Sequence, residues 1–250
     1  MQPIAIMGAM QEELQGLKHA LQNAHTINMG GRQVTTGHWH GHPVVLVLSR
    51  IGKVAAATTA TALIERFDVR EIVFTGVAGG LAPGVNVGDM VVASEFMQHD
   101  MDASPLFPPM EVPLYGRAHF PTDTAMTQQL KSAATDILKN PAQWIDVEVL
   151  RELHVHAPKV HAGLMVSGDR FVSTSHESQS LQQRLPQALA VEMEGAAVAQ
   201  VCHDYGVPFA AVRTISDRAD DAATTDFNRF IHEVASRYTS ALLSTWMAKR

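Results

Sequence analysis

The first apolar run, Ile4 to Met7, is short and unbroken, as expected of a strand buried on both faces. After Gly8-Ala9-Met10 the rhythm changes, and Leu14, Leu17, Ala20 and Leu21 fall on one helical face. Gln11, Glu12 and Glu13 occupy the first turn of that helix, a usual place for acids. Three strands follow, around Thr26–Met29, Val34–Trp39 and Val44–Leu48, and Gly30, Gly31 and Gly41 between them predict hairpins. Ser49-Arg50-Ile51-Gly52-Lys53 then opens a helix of alanines and threonines reaching Phe67, small enough along its length to lie close to a sheet.

Glu71 to Thr75 reads as the next buried strand, ended by the glycine-rich turn Gly76–Gly80. Another strand spans Asp89 to Phe96. Prolines at 105, 108, 109 and 113 make Gln98 to His119 a long loop, and such loops are usually functional or disordered. Helical pattern returns over Thr122–Leu138 and around Trp144–Leu153. Val160–Val166 is a strand leading into Ser167–Val172, and Ser175–Leu185 a short helix. The strand Ala188–Val191 passes through Glu192-Met193-Glu194 into a small-residue helix over Gly195–Gln200. Pro208–Ile215 is the last strand, and a helix from Thr225 to Met247 closes the chain. Strands alternate with helices, without repeats, linkers or a shift in composition. The expected fold is one α/β domain over residues 1–250, a central mixed or mostly parallel sheet flanked by helices.

Composition narrows the partners. An apolar content of 46% with 18% charged residues suits a globular protein with a large core. A net charge of −6, spread along the chain, argues against nucleic acid and against an anionic membrane surface. With a single cysteine, Cys202, no internal disulfide can form, and no basic leader precedes the first strand. No apolar run reaches the length of a membrane span. A cytoplasmic protein is expected.

Candidate chemistry centres on acids that follow buried strands: Glu13 after the first, Glu192 and Glu194 after the strand at Ala188, and Asp217 after the last. Strand ends of an α/β sheet gather at one edge, so these acids can meet in one cleft. Paired carboxylates suit cleavage of a glycosidic bond, one group protonating the leaving group while another activates water. Desolvated acids need hydrogen bonds, and sugar hydroxyls can supply them. The competing reading is that each acid caps the helix that follows it. His38, His40 and His42 alternate, as do His154 and His156, which would set each group on one strand face, but no acid or cysteine completes a zinc pattern. Cys202 reads as a buried apolar residue. Ser167 lacks the nucleophile-elbow pattern. The glycine turn has the build to hold a phosphate, yet Phe74 and Thr75, not a basic residue, precede it.

Six blocks occur in a telling order: G-A-M-Q-E-E-L, S-R-I-G-K-V-A-A-A, T-G-V-A-G-G-L-A-P, V-S-G-D-R-F-V, A-V-E-M-E-G-A-A-V-A and V-R-T-I-S-D-R-A-D. In these the chain resembles the nucleoside phosphorylase superfamily over nearly its whole length, and most of all the methylthioadenosine/S-adenosylhomocysteine nucleosidases. The resemblance implies a cofactor-free hydrolase that releases adenine from a purine nucleoside, and a homodimer. It implies that Glu13 activates the attacking water, that Asp217 protonates the purine with Ser216 orienting it, and that Glu194 binds ribose hydroxyls with Met193 beside the sugar. Glu192 is counted with this ribose-binding stretch. Phe171 would stack on adenine, the backbone of Val172 would read its edge, and Ile51, Ala78, Gly79 and Phe227 would line the rest.

Four departures stand out. Val77 replaces a serine found in many relatives, and Arg50 is unusual within its block. Phe74 stands where phosphate-binding relatives place an arginine. The segment His99–Gly116, which in relatives shapes the pocket for the 5′ substituent partly from a neighbouring subunit, does not follow the family pattern. The alternatives implied are a phosphorylase, an aminodeoxyfutalosine hydrolase and a non-catalytic nucleoside-binding module.

Overall fold

The computed structural model describes residues 1–219 and 227–250, with the backbone alone for Glu13 and Gln15. The first strand, β1 (Ile4–Gly8), lies at the centre, parallel to β4 (His42–Leu48) on one side and β5 (Glu71–Gly80) on the other. Helix α1 (Glu12–Ala20) leads from it to β2 (Gln22–Met29) and β3 (Arg32–Trp39), which form an antiparallel meander with β4. Both hairpins have two-residue loops, since Met29 faces Arg32 and Trp39 faces His42. Gly30 and Gly31 have φ of 55° and 74°, His40 and Gly41 48° and 81°. Positive φ at both central residues is what a right-twisted two-residue hairpin requires. The hairpin corrects the expectation for the histidines. His38 lies in β3, His40 in the turn and His42 in β4, so they share no strand face. His154 and His156 lie in the loop after α4 (Val147–Glu152), not on a strand. Strand β2 begins four residues before the expected Thr26; it is exposed except at Met29, so no burial pattern marks its start.

The other half of the sheet turns back on itself. Strand β6 (Met90–Gln98) runs parallel to β8 (Val160–Ser167), and β8 runs parallel to β9 (Ala188–Glu192). Strand β9 is antiparallel to the end of β5, while β10 (Phe209–Asp217) joins β5 in parallel and β6 antiparallel. These five strands therefore close into a ring, extended by the short β7 (His119–Pro121) on β6. The closure corrects one expectation. Gly76–Gly80 is not a turn but the second half of β5, held by β10 on one side and β9 on the other.

Helices cover both faces. Leu17 of α1, Leu130 of α3 (Thr124–Leu138), and Tyr238 and Trp246 of α8 (Ser236–Met247) fill one core. Ala56, Ala60 and Leu63 of α2 (Lys53–Phe67) fill the other with Ala196, Val198 and Cys202 of α6 (Gly195–Tyr205). Helix starts follow their capping residues: Asp123 accepts from the amide of Met126, and Thr174 from that of Glu177 ahead of α5 (Ser175–Arg184). Helix α6 outruns Gln200 and stops at the left-handed Gly206. The last helix comprises α7 (Phe227–Phe230), a π-helical stretch over Ile231–Ala235, and α8. Its expected start at Thr225 lies outside the described residues. Among these no helix is long and apolar enough to cross a membrane.

The 98–116 loop folds partly onto its own chain: Val112 is buried, and the Tyr115 hydroxyl donates to Asp204 at 2.8 Å.

Gly195, at the start of α6, lies against the buried ring of Phe96. A Cβ there would stand 2.2 Å from Phe96 Cε1, and that ring is fully enclosed. Gly195→Ala is expected to lower unfolding stability by about 1–3 kcal/mol, the usual range for overpacking. A urea unfolding midpoint equal to that of the unmodified protein would show that the helix can shift to make room.

Candidate active site

A cavity of about 570 Å³ opens where β1, β5, β9 and β10 end. Ala9 and Met10 enter from the end of β1, Ile51 from the turn before α2, and Val77 to Gly79 from the glycine half of β5. Arg170, Phe171 and Val172 come from the segment after β8, Val191 to Glu194 from the β9–α6 junction, and Arg213, Ser216 and Asp217 from β10. Phe227 and Asn228 of α7 complete the wall. The fold thus brings together Ile51, Ala78, Gly79, Phe171, Val172, Glu192, Met193, Glu194, Ser216, Asp217 and Phe227, all singled out in the sequence. The side chain of Glu13 lies outside the described residues. No residue of the 98–116 loop lines the cavity within this chain.

Asp217 ends β10 with both carboxyl oxygens engaged. Oδ1 accepts from the Ala219 amide at 2.7 Å, and Oδ2 from the Ser216 hydroxyl at 2.7 Å. The same Oδ1 would lie 3.0 Å from a Cβ on Gly79, and Ala219 Cβ only 2.9 Å away. Glycine at 79 is therefore what lets this carboxyl settle against β5.

The two glutamates divide the roles that one sequence stretch left open. Glu192 caps α6: its carboxylate accepts from the Gly195 amide at 2.8 and 2.9 Å and from the Glu194 amide at 3.2 Å. The Ser167 hydroxyl also donates to it and itself accepts from the Ala196 amide at 2.8 Å. Glu192 further pairs with Arg213 Nη2 at 2.7 Å, with the two side chains 2% and 1% exposed. Glu194 makes no side-chain cap. Its Oε1 instead accepts from the Gly52 amide at 2.9 Å, reaching across the cavity mouth to the start of α2.

Arg213 is the residue that sequence reasoning passed over. Its guanidinium lies 4.1 Å from the centre of the Phe74 ring, and Nε and Nη1 have no hydrogen-bond partner among the described residues. The expectation that no basic residue stands beside the glycine segment is thereby corrected. Parallel pairing sets Arg213 opposite Gly76, a neighbour invisible in the linear sequence. The V-R-T-I-S-D block, with an arginine in an apolar strand, was the available signal.

The rim is tied by charge. Lys53 Nζ meets Asp100 at 2.6 Å, the Lys53 amide donates to Asp169 at 2.8 Å, and the Asp169 amide donates to Asp100 at 2.8 Å. This holds the loops before α2 and after β8 at a fixed spacing. Phe171 and Phe227 meet edge to face across the opening, their centroids 6.1 Å apart. Among the described residues no three His, Cys, Asp or Glu side chains are grouped to hold a metal ion. Burial pushes the Cys202 thiol well above its ordinary pKa, consistent with a packing residue.

An apolar cavity at the strand ends of a mixed sheet, with buried carboxylates and a buried arginine in its wall, is the build of an α/β enzyme for a small molecule. The chain belongs to the phosphorylase superfamily, whose family model matches residues 3–246. It is similar to solved 5′-methylthioadenosine/S-adenosylhomocysteine nucleosidases. That of Neisseria meningitidis, in complex with methylthio-immucillin-A, is 32% identical with a TM-score of 0.85, each chain covered in full at 100%. That of Streptococcus pneumoniae is 32% identical with a TM-score of 0.84, over 99% of this chain and 100% of the other. A futalosine hydrolase mutant of Helicobacter pylori is also 32% identical, with a TM-score of 0.82 over 98% of both chains.

The division between the glutamates predicts unequal stability losses. Glu192→Gln leaves a buried guanidinium uncompensated and should cost about 3–5 kcal/mol. Glu194→Gln keeps an acceptor for Gly52 and should cost about 1 kcal/mol or less. Equal losses in urea unfolding would mean that Glu194 shares the anchoring role.

Proposed function

We propose that the protein hydrolyses the N-glycosidic bond of purine nucleosides of the methylthioadenosine/S-adenosylhomocysteine type and releases adenine. The observation that carries this reading is the joint placement of Asp217, hydrogen-bonded by Ser216, and Glu194 on the wall of one apolar cavity with Phe171. Phe171 offers a ring face for a purine. Asp217 delivers a proton to the purine N7, so that adenine leaves as a neutral molecule. Glu13 takes a proton from water as the water oxygen bonds to the anomeric carbon. Glu194 accepts from the ribose hydroxyls, which become stronger donors as positive charge develops on the sugar.

The charge around Arg213 supports water in place of phosphate. Its positive charge is already matched by Glu192 at 2.7 Å, so the pair offers little net attraction for an anion. Phe74 itself, buried under the guanidinium, brings no charge.

The enzyme works as a cytoplasmic homodimer in this reading, with the 98–116 loop reaching the partner. Leu106 and Leu114 on that loop are 83% and 90% exposed, and exposed apolar side chains of this size mark contacts.

The test is incubation with a panel of purine nucleosides, with and without phosphate, following adenine and the sugar. Free pentose is expected; a pentose 1-phosphate, or a rate that depends on phosphate, would show a phosphorylase. Glu13→Gln and Asp217→Asn should each lower turnover on the order of 10²-fold or more. Near-normal turnover in either would mean that the role belongs to another residue. Glu194→Gln should lower turnover about ten- to hundredfold on a ribonucleoside and much less on its 2′-deoxy analogue. Equal losses on both substrates would remove Glu194 from sugar binding.

A further inference from the structure

No residue of the 98–116 loop lines the cavity, yet near its start the loop is bonded to the segments behind two of the cavity walls. Asp100 makes these bonds, one with each carboxyl oxygen. Oδ1 accepts from Lys53 Nζ at 2.6 Å, and Oδ2 accepts from the Asp169 amide at 2.8 Å. Lys53 follows Gly52, whose amide donates to Glu194 at 2.9 Å. Asp169 precedes Arg170 and Phe171, which line the cavity from another side. One carboxylate thus joins the segment that holds Glu194 to the segment that carries the aromatic ring.

The two segments are also bonded to each other. Asp169 Oδ1 accepts from the Lys53 amide at 2.8 Å, and its Oδ2 lies 3.9 Å from Lys53 Nζ. Gly52 holds a φ of 97°, and a Cβ there would stand 3.2 Å from Asp169 Oδ1, so glycine suits both the backbone and the close approach. Lys53 Nζ reaches Gln98 Oε1 as well, at 3.1 Å, and Gln98 Nε2 donates to Gln200 of α6 at 2.8 Å. Helix α6 begins at Gly195, directly after Glu194, so the chain of contacts closes on itself.

Burial alone would raise the pKa of the Asp100 carboxyl, but the hydrogen bonds from Lys53 and from the Asp169 amide outweigh it and hold the group below its ordinary range. Asp100 is therefore ionised at neutral pH. A partly exposed ion pair contributes little to stability. Its effect is to be sought in the geometry that it fixes.

We propose that Asp100 is a positioning residue: by holding Lys53 and Asp169 it fixes the Gly52 amide, and through that amide the direction in which the Glu194 carboxylate faces the ribose. The inference rests on the nucleosidase reading for the role of Glu194. An acceptor for sugar hydroxyls serves the reaction best when its lone pairs point at them before charge builds on the sugar. Without the clamp the Gly52 segment gains freedom, and Glu194 has to be ordered during the reaction.

The test compares methylthioadenosine with its 2′-deoxy analogue in the unmodified protein, Asp100→Asn and Lys53→Met. Asparagine is nearly isosteric, but it offers one acceptor where two donors converge, and its own NH2 group meets the other donor. Lys53→Met removes the ammonium and keeps the apolar stem. On methylthioadenosine each variant should lower kcat about three- to tenfold, less than Glu194→Gln because the effect is indirect and the pair is partly screened by solvent. On the 2′-deoxy analogue kcat should change less than about twofold, since a hydroxyl that Glu194 would bind is absent. Added to Glu194→Gln, Asp100→Asn should cost nothing further, because the group it positions is already disabled. Unchanged kcat in both single variants, equal losses on the two substrates, or a full further loss in the double variant would overturn the proposal. Amide hydrogen exchange measures the clamp without substrate: protection at Gly52 and Lys53 should fall about tenfold in Asp100→Asn. Unchanged protection would likewise overturn it. If protection falls while the unmodified protein releases no adenine from either substrate, the nucleosidase reading fails and the clamp between the two segments stands.

Discussion

The buried pair of Glu192 and Arg213 is the interaction on which the site depends. Taking two charges out of water costs several kcal/mol per ion, and attraction between them offsets that only with good geometry and further hydrogen bonds. Here those are present: the amides at the start of α6, the hydroxyl of Ser167 and the face of Phe74 all meet the pair. Four segments of the ring, β5, β8, β9 and β10, are thereby tied at the end where the cavity opens. Because Glu192 takes the helix end, Glu194 is directed elsewhere, to the amide of Gly52.

A second constraint is close approach. Gly79 admits the Asp217 carboxyl against β5, and Gly195 admits the ring of Phe96 against α6. Small residues in these places draw the strand ends together around a volume of about 570 Å³. Charged groups confined in such an apolar enclosure act on one another and on a ligand more strongly than in water. For the proposed hydrolysis this means donors and acceptors set in place before the substrate arrives, with little reorganisation during reaction.

Much of the architecture was legible in the chain itself. Apolar runs marked the buried strands, glycines marked both hairpins, and the helical period marked the helices. Those signals are local: periodicity and turn residues each involve positions a few residues apart. Eleven of the twelve candidate site residues are gathered in one cavity because acids and glycines at strand ends converge wherever a mixed sheet forms. Other features had no local signal. Strand β2 is exposed along nearly its whole length, and its start shows only through pairing with β3. The glycines after Thr75 form strand, not turn, because β9 and β10 flank them. Whether Glu192 or Glu194 capped α6 was undecided in the sequence, since both acids stand within reach of the helix start. The partner that settled it, Arg213, arrives through the register of β10 on β5, and register between distant segments is set by packing of the whole core.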